Sequence, residues 1–508
     1  MTKRSGIYFC IILFFPVLAV KAQQTESSSR SNTVIRTLIV FFDGLRPDYI
    51  TKEAMPNLFA FKQTASYGNR HHSVFPTVTR VNSSSYSTGS YPGTHGIMGN
   101  SVYFPKVSSS ALNTGEASDL NKIAVSENGK LLTAISLGEI LAKAGKKMMV
   151  FSSGSTGQAL LQNHTVSSGM IINTDMILPV AKKDSIEKII GTAPQEAKSN
   201  IARHKWITDA FFKTAFSADA PLVSAIWYSD PDGAAHSHGI GSPEAMESIR
   251  IVDEQFGRII TTLKERNLTQ SFNIIISTDH GFVTYIGKES LGDFLIRSGL
   301  KADAKSEDVV LAGGAVYVKN HDRKKIQAIV KALQSQQWIG AIFTKGSKPG
   351  DMLGSVEGTL SFASIHWDHP QRSGDILVDV NWNDDKNAAG YPGSSFSKGV
   401  AGHGSLSPYE VHIGLLASGP SFKKSYVSEV PTSNVDIVPT VLHLYHAPVP
   451  ASMDGRVMSE LLTENSSAVV PPVKEETIQT SAGGYTLTVH RSIVGKHIYI
   501  DYGTVKRK

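Results

Sequence analysis

With 508 residues, 41% of them hydrophobic and 19% charged, the chain can bury a large core, and neither a disordered polypeptide nor a bundle of membrane helices fits that composition. The formal net charge of +6 is mild and includes no long Lys/Arg tract, so a nucleic-acid-binding role has no electrostatic support. Length alone suggests on the order of two to four domains.

The N-terminus reads as an export signal. Lys3 and Arg4 precede an apolar run from Ile7 to Val20, broken only by Pro16, and Val20-Lys21-Ala22 offers small or apolar residues to a signal peptidase. Cleavage is predicted after Ala22. A spanning helix needs about 20 apolar residues, more than this run supplies, so no stable membrane anchor is expected after cleavage. The mature protein is expected to be secreted or periplasmic. Cleavage removes three positive charges, Lys3, Arg4 and Lys21, which lowers the net charge from +6 to +3. It also removes Cys10, the only cysteine. Disulfides and thiolate ligands are thereby excluded, and any metal must be held by Asp, Glu and His.

Residues 23–34, polar and serine-rich from Ser27 to Asn32, read as a flexible leader. A buried strand is predicted over Leu38-Ile39-Val40-Phe41-Phe42, ended by the turn signal Asp43-Gly44. Met148 to Phe151, Leu222 to Tyr228, and Ile274 to Ile276 leading into Ser277 have the same form. Apolar runs without alternation suit a largely parallel sheet covered on both faces. Between them, a helix is predicted over Leu131 to Ala144, stopped by Gly145. Another starts at Ser242-Pro243, with Ile249, Val252, Phe256, Ile259 and Leu263 on one face, as a βαβ crossover requires. Residues 290–400 look less regular, with a polar loop from Asn383 to Ser397, and are read as an insertion or cap within a domain spanning 35–465. Residues 466–508 form a β-rich extension, with two small strands predicted at Tyr485 to Val489 and His497 to Ile500.

Five segments place Asp, His or Thr just past a predicted strand or in a loop, where ligands of open α/β sheets collect. They are Asp43-Gly44; Phe75-Pro76-Thr77-Val78-Thr79-Arg80-Val81-Asn82, followed by Ser87-Thr88-Gly89 and Thr94-His95-Gly96; Asp230-Pro231-Asp232 through His236; Asp279-His280-Gly281; and Gly402-His403-Gly404. The spacing of Asp232 and His236 lets one short turn present a carboxylate and an imidazole to the same ion, and the glycines around His403 let the backbone approach one. Singly, each segment is an ordinary turn.

In this order the segments resemble the type I phosphodiesterase/nucleotide pyrophosphatase family and its relative phosphonoacetate hydrolase, of the alkaline-phosphatase superfamily. The resemblance covers residues 35 to 460 and includes Asn434 to Thr440 and Met453-Asp454-Gly455-Arg456. It implies an α/β fold, a three-layer α/β/α sandwich with a mostly parallel central sheet and an inserted cap. It implies two zinc ions per chain, with other divalent metals as alternatives. One is held by Asp232, His236 and His403, the other by Asp43, Asp279, His280 and the Thr79 oxygen. In the family the nucleophile lies nine positions before the threonine of the next Thr-Gly; here that threonine is Thr88, which selects Thr79 over Thr77. The implied chemistry is hydrolysis of small-molecule phosphodiester or phosphoanhydride bonds through a phospho-threonine intermediate, with Asn82 as an oxyanion donor.

The pattern departs from the family at Arg80, where nucleotide pyrophosphatases carry a base-stacking phenylalanine, and at Val81, where they carry proline. Arg80 could stack, pair with a second anionic group of the substrate, or form a structural salt bridge. Phosphonate hydrolysis and phosphomonoester hydrolysis therefore remain alternatives. A sulfatase would need a cysteine or serine in a setting that the nucleophile loop lacks. A metal-free binding protein would have no use for the complete ligand set with Thr79. His71, His72 and His238 are expected to be ordinary surface histidines, His366 to His369 to serve packing or the substrate side, and Asp230 to yield to Asp232 as ligand. Nothing in the sequence sets the oligomeric state.

Overall fold

Alternate side chains of the first strand go to opposite faces of one sheet, and both faces are covered. Strand β1 (Arg36–Phe42) is buried from Thr37 onward. Leu38, Val40 and Phe42 enter one hydrophobic cluster, Ile39 and Phe41 another. This double burial is the reason the run shows no polar alternation. The computed structural model describes residues 34–508 apart from 167, 196–199, 218 and 466–469, together with 1–3 and 5–7. Cys10, the predicted cleavage position after Ala22 and the Ser27 to Asn32 leader lie outside the described residues. No helix among the described residues is long and apolar enough to cross a membrane.

The central sheet contains β1, β2 (Ser66–His72), β3 (Met148–Ser152), β4 (Met170–Asn173), β5 (Met176–Leu178), β6 (Val223–Tyr228), β7 (Phe272–Ser277), β8 (His412–Ser418) and β9 (Tyr426–Ser428). Their spatial order is β9-β2-β8-β7-β1-β6-β3-β4-β5, and the two-residue strand Thr432–Ser433 also pairs with β2. The ladders from β7 through β1, β6 and β3 to β4 are parallel; β8 is antiparallel to both neighbours and β5 to β4. Val40 of β1 sits level with Ile226 of β6 and Ile276 of β7. The carboxyl ends of these three parallel strands are therefore side by side, where ligands of open α/β sheets collect.

One face of the sheet carries α1 (Thr79–Thr88) with the helices Ala117–Ser126, Leu137–Lys143, Thr156–Gln162 and Ile437–Leu444. Helix α2 (Asp232–His238) leaves the end of β6. On the other face α3 (Pro243–Glu265) packs with Pro56–Thr64 and Ile201–Thr214 through Leu58, Phe211, Val252 and Phe256. This is the three-layer α/β/α sandwich. In α3 the Ser242 hydroxyl accepts the Ala245 N–H, and Ile249, Val252, Phe256, Ile259 and Leu263 are all buried. The expected helix over 131–144 is shorter, Leu137–Lys143. Ser136 caps it, accepting the Glu139 N–H while the Glu139 carboxylate accepts the Ser136 N–H, and this capping box fixes the start.

The stretch read as irregular is in fact well ordered. Val309–Ala312, Ala315–Val318, Ile376–Val380, Ile339–Thr344 and Leu360–Ser361 form a second sheet beside the helix Arg323–Gln334. The expected loop at 383–397 is a hairpin of Trp382–Lys386 and Pro392–Lys398. Its first strand is partly exposed throughout, so its polar residues carry no alternation to read. The C-terminus holds three strands rather than two, Val473–Ala482, Tyr485–Val494 and His497–Arg507. Residues Ile35–Lys508 make one compact unit. Tyr485 Oη donates to Gly340 O, Tyr499 Oη to Asp436, and Gly503 N to Leu406 O, so the terminal sheet braces the loop just after His403.

Candidate active site

Three carboxylates leave the ends of β1, β6 and β7, and two of them are fixed through one oxygen. Trp227 Nε1–H donates to Asp43 Oδ2 at 3.0 Å, and the Gly44 N–H donates to Asp279 Oδ1 at 3.1 Å. The oxygens left over, Asp43 Oδ1 and Asp279 Oδ2, are buried without a hydrogen-bond partner, as is Asp232 Oδ1 at the start of α2. Buried unpaired carboxylate oxygens are costly and call for a cation.

Three imidazoles face these oxygens in one tautomer. Nδ1 of His236 lies 2.9 Å from Ala401 O, that of His280 3.0 Å from Gly281 O, and that of His403 2.8 Å from Thr77 O. A carbonyl oxygen only accepts, so each Nδ1 carries the proton and each Nε2 presents a lone pair. Those Nε2 atoms approach the carboxylates: His236 and His403 lie 3.2 and 3.3 Å from Asp232 Oδ1, and His280 lies 3.0 Å from Asp279 Oδ2 and 3.6 Å from Asp43 Oδ1. Lone pairs facing carboxylates repel unless a cation lies between them. Burial opposes a charge on His236 and His280, but the facing carboxylates outweigh it and raise both. Burial, then the neighbouring His280, hold His403 down at about 4. Asp43 is pushed well up by burial and by the charges of Asp279 and Asp232.

Two ligand sets emerge, Asp232/His236/His403 and Asp43/Asp279/His280, each with its donor atoms within 4.8 Å of one another. They adjoin, since the His280 and His403 rings stack with centroids 3.4 Å apart. All six side chains expected as ligands are thus brought together, with oxygen and nitrogen donors that fit zinc and related divalent ions. Thr79 opens α1, is 3% exposed, and holds Oγ1 3.3 Å from His280 Nε2. Thr77 is turned away, its hydroxyl donating to Ser405 O at 2.8 Å.

Asn82 does not occupy the expected position. It is fully buried; its Oδ1 accepts from Val74 N and Asn434 Nδ2, and its Nδ2 donates to Val74 O and Val78 O. Its amide ties the nucleophile loop together and has no donor left for an oxyanion. Asn100 is better placed. Its Oδ1 accepts the Arg80 N–H at 3.0 Å, no hydrogen bond among the described residues uses its Nδ2, and it lines a cavity of about 410 Å³ that reaches His403. The sequence offered no local signal for it beyond a Gly-Asn turn. Arg80 makes no ion pair among the described residues. Asp230 accepts from Ala234 N and pairs with His204 at 2.7 Å, which anchors the first turn of α2.

One smaller expectation changes. His71 and His72 are buried, not superficial: His71 bonds Thr432 and Asn434 and is held at about 3 by burial, and His72 pairs with Asp501 at 2.9 Å. His366 packs on Tyr91 with ring centroids 4.1 Å apart.

Glu410 supports the His403 loop. Its carboxylate accepts from Ser405 N at 2.6 Å, from Gly404 N and Ser405 Oγ, and from Thr77 Oγ1 at 3.2 Å. Glu410→Gln replaces acceptor oxygen with an amide donor in that cage. It is expected to weaken metal retention at the His403 set about 10- to 100-fold, read by competition with a chromogenic chelator.

This architecture defines a class. A mutant of the alkaline phosphatase PafA matches with a TM-score of 0.65 at 15% identity, over 84% of this chain and 99% of that one. Murine ectonucleotide pyrophosphatase/phosphodiesterase 5 matches at 0.58 and 20%, over 84% and 100%. The fold is alkaline-phosphatase-like. The family described as type I phosphodiesterase / nucleotide pyrophosphatase matches residues 37–385, and the chain belongs to that family. Mouse bis(5'-adenosyl)-triphosphatase enpp4 is 23% identical over 436 residues, 85% of this chain and 82% of that protein. Rat ectonucleotide pyrophosphatase/phosphodiesterase family member 1 is 26% identical over 247 residues, 48% of this chain, and the chain spans only 24% of that relative.

Proposed function

We propose that the protein is an exported two-metal hydrolase of phosphodiester or phosphoanhydride bonds in small molecules, with Thr79 as nucleophile. The observation that carries this reading is the set of three buried, unpartnered carboxylate oxygens facing three Nε2 lone pairs beside a threonine hydroxyl. Bound in the two sets, zinc or another divalent ion would lower the pKa of the Thr79 hydroxyl and stabilise the departing oxygen. Asp43, Asp279 and His280 would hold the ion on the nucleophile side; Asp232, His236 and His403 would hold its partner.

Thr79 Oγ forms the bond to phosphorus while the bond to the leaving oxygen breaks on the opposite side. Water then attacks the phospho-threonine, which restores the hydroxyl and releases the phosphorylated product. The start of α1 favours negative charge at this point, and Asn100 offers a free amide donor beside it. Export is supported by the basic and apolar N-terminal run and by the absence of cysteine after Cys10.

The test is hydrolysis of bis-p-nitrophenyl phosphate, p-nitrophenyl phosphate and a dinucleoside polyphosphate by metal-loaded protein. Turnover of the diester or the anhydride supports the reading. No turnover of any of the three, with two metals bound per chain, sinks it and turns attention to C–P hydrolysis of phosphonoacetate.

A further inference from the structure

The buried arginines of this protein are paired: Arg46 with Asp48, Arg203 with Asp175, Arg456 with Glu460 and Arg491 with Glu476, while Arg372 reaches the carbonyls of Gly96, Lys130 and Leu131. Arg80 differs. It follows the proposed nucleophile directly, and no hydrogen bond or ion pair among the described residues uses any nitrogen of its guanidinium, whereas Arg203, Arg372 and Arg491 leave only Nε without a partner. Its backbone is fixed, because Asn100 accepts its N–H. The neighbouring loop is shaped around its side chain: a Cβ on Gly115 would lie 2.4 Å from Nη2 of Arg80. Asn100, which accepts the Arg80 N–H, lines the cavity that reaches His403.

A planar guanidinium held partly buried and unpaired, one residue after the proposed nucleophile, is an incomplete ion pair. We infer that Arg80 completes that pair with the substrate, reading a second anionic oxygen on or bordering the reacting phosphoryl group. Resting on the proposed two-metal hydrolysis, this favours substrates with a second anionic oxygen over simple diesters at the same centre. Monoester dianions, terminal phosphates of anhydrides and phosphonates with a carboxylate carry such an oxygen; a simple diester, with its single charge, does not. The aromatic base-stacking position of nucleotide pyrophosphatases is thereby turned into a charge-reading one.

The experiment compares kcat/KM for p-nitrophenyl phosphate and bis-p-nitrophenyl phosphate in wild type, Arg80→Ala, Arg80→Lys and Gly115→Ala, each checked for metal content. Charge-assisted hydrogen bonds of this kind are worth about 10- to 100-fold, so the monoester-to-diester ratio should fall by that factor in Arg80→Ala and by less in Arg80→Lys, which keeps the charge but loses the fork. Gly115→Ala keeps the arginine but crowds its guanidinium, and should lower the ratio in the same direction. A ratio within about twofold of wild type in Arg80→Ala overturns the inference. Calorimetry of inorganic phosphate binding to metal-loaded Thr79→Ala protein, with and without Arg80→Ala, gives a readout that needs no turnover. An unchanged affinity overturns the inference even where neither ester is hydrolysed, the outcome that counts against the proposed function itself. Adding phosphonoacetate as a third substrate separates a second phosphoryl oxygen from a neighbouring carboxylate as the group Arg80 reads.

Discussion

Thr79→Ala is expected to lower turnover by about 10⁴-fold or more and to leave bound metal at the wild-type level, since a group that acts as part of a nucleophilic unit is grossly non-additive on removal. The Thr79 hydroxyl lies 3.3 Å from His280 Nε2, and the three carboxylates and three imidazoles remain in its absence. Thr79→Ser keeps an Oγ at the start of α1 and should retain activity within about 100-fold of wild type. Thr77→Ala is the informative contrast. Its hydroxyl is committed to Ser405 O and Glu410, so its loss loosens the loop that carries His403 and removes no attacking group. A smaller defect is expected, visible mainly as weaker metal retention. Steady-state rates together with elemental analysis decide between them: an inactive Thr77→Ala beside an active Thr79→Ala would reverse the assignment.

Much of the central sheet was legible because its strands are buried on both faces and so read as unbroken apolar runs. The six side chains expected as ligands were singled out for a related reason. Each of the three strands that converge on the site stops at a polar residue, and the chain order of the segments resembles a family pattern. What the sequence concealed is α1. Asn82-Ser83-Ser84-Ser85-Tyr86-Ser87-Thr88 has the composition of a turn, yet it is a buried helix. Its hydroxyls are satisfied internally, Ser83 Oγ donating to Thr79 O, Ser84 Oγ to Arg80 O and Thr88 Oγ1 to Ser84 O. The same helix explains the misplaced Asn82. Position along the chain suggests that an asparagine three residues after the nucleophile faces the substrate, but one helical turn carries it inward against Val74 and Asn434. Asn100 comes from a different loop, so only the folded chain brings it to Arg80. The regular strands within residues 290–400 went unread because the hairpin there exposes both faces of a polar strand and the turns depend on residues such as Gly313, at φ +61°.

Replacing one carboxylate from each ligand set should separate the two ions. Asp279→Asn is expected to remove the ion beside Thr79, dropping bound metal from about two to about one per chain and turnover by about 10³-fold or more, since the activating charge on the nucleophile goes with it. The asparagine keeps the Gly44 contact through its carbonyl oxygen, but its amide nitrogen cannot replace the buried unpartnered oxygen next to His280. Asp232→Asn should remove the other ion, because His236 and His403 then keep only each other. Its rate defect should be largest for substrates with poorly stabilised leaving groups, such as alkyl rather than nitrophenyl esters. Removal of both ions by chelation should also lower thermal stability, because the folded state loses ligand linkage of about 4 kcal/mol per site at a free metal concentration a thousandfold above Kd. The carboxylates then repel across the cluster: burial and the charges of Asp279 and Asp232 already push Asp43 well above the carboxylate range. Elemental analysis of each variant and melting curves with and without added zinc test the division. Full retention of two ions in both variants would show that the carboxylates are not ligands, and the ordering of the six side chains would then need another cation or a proton to explain it.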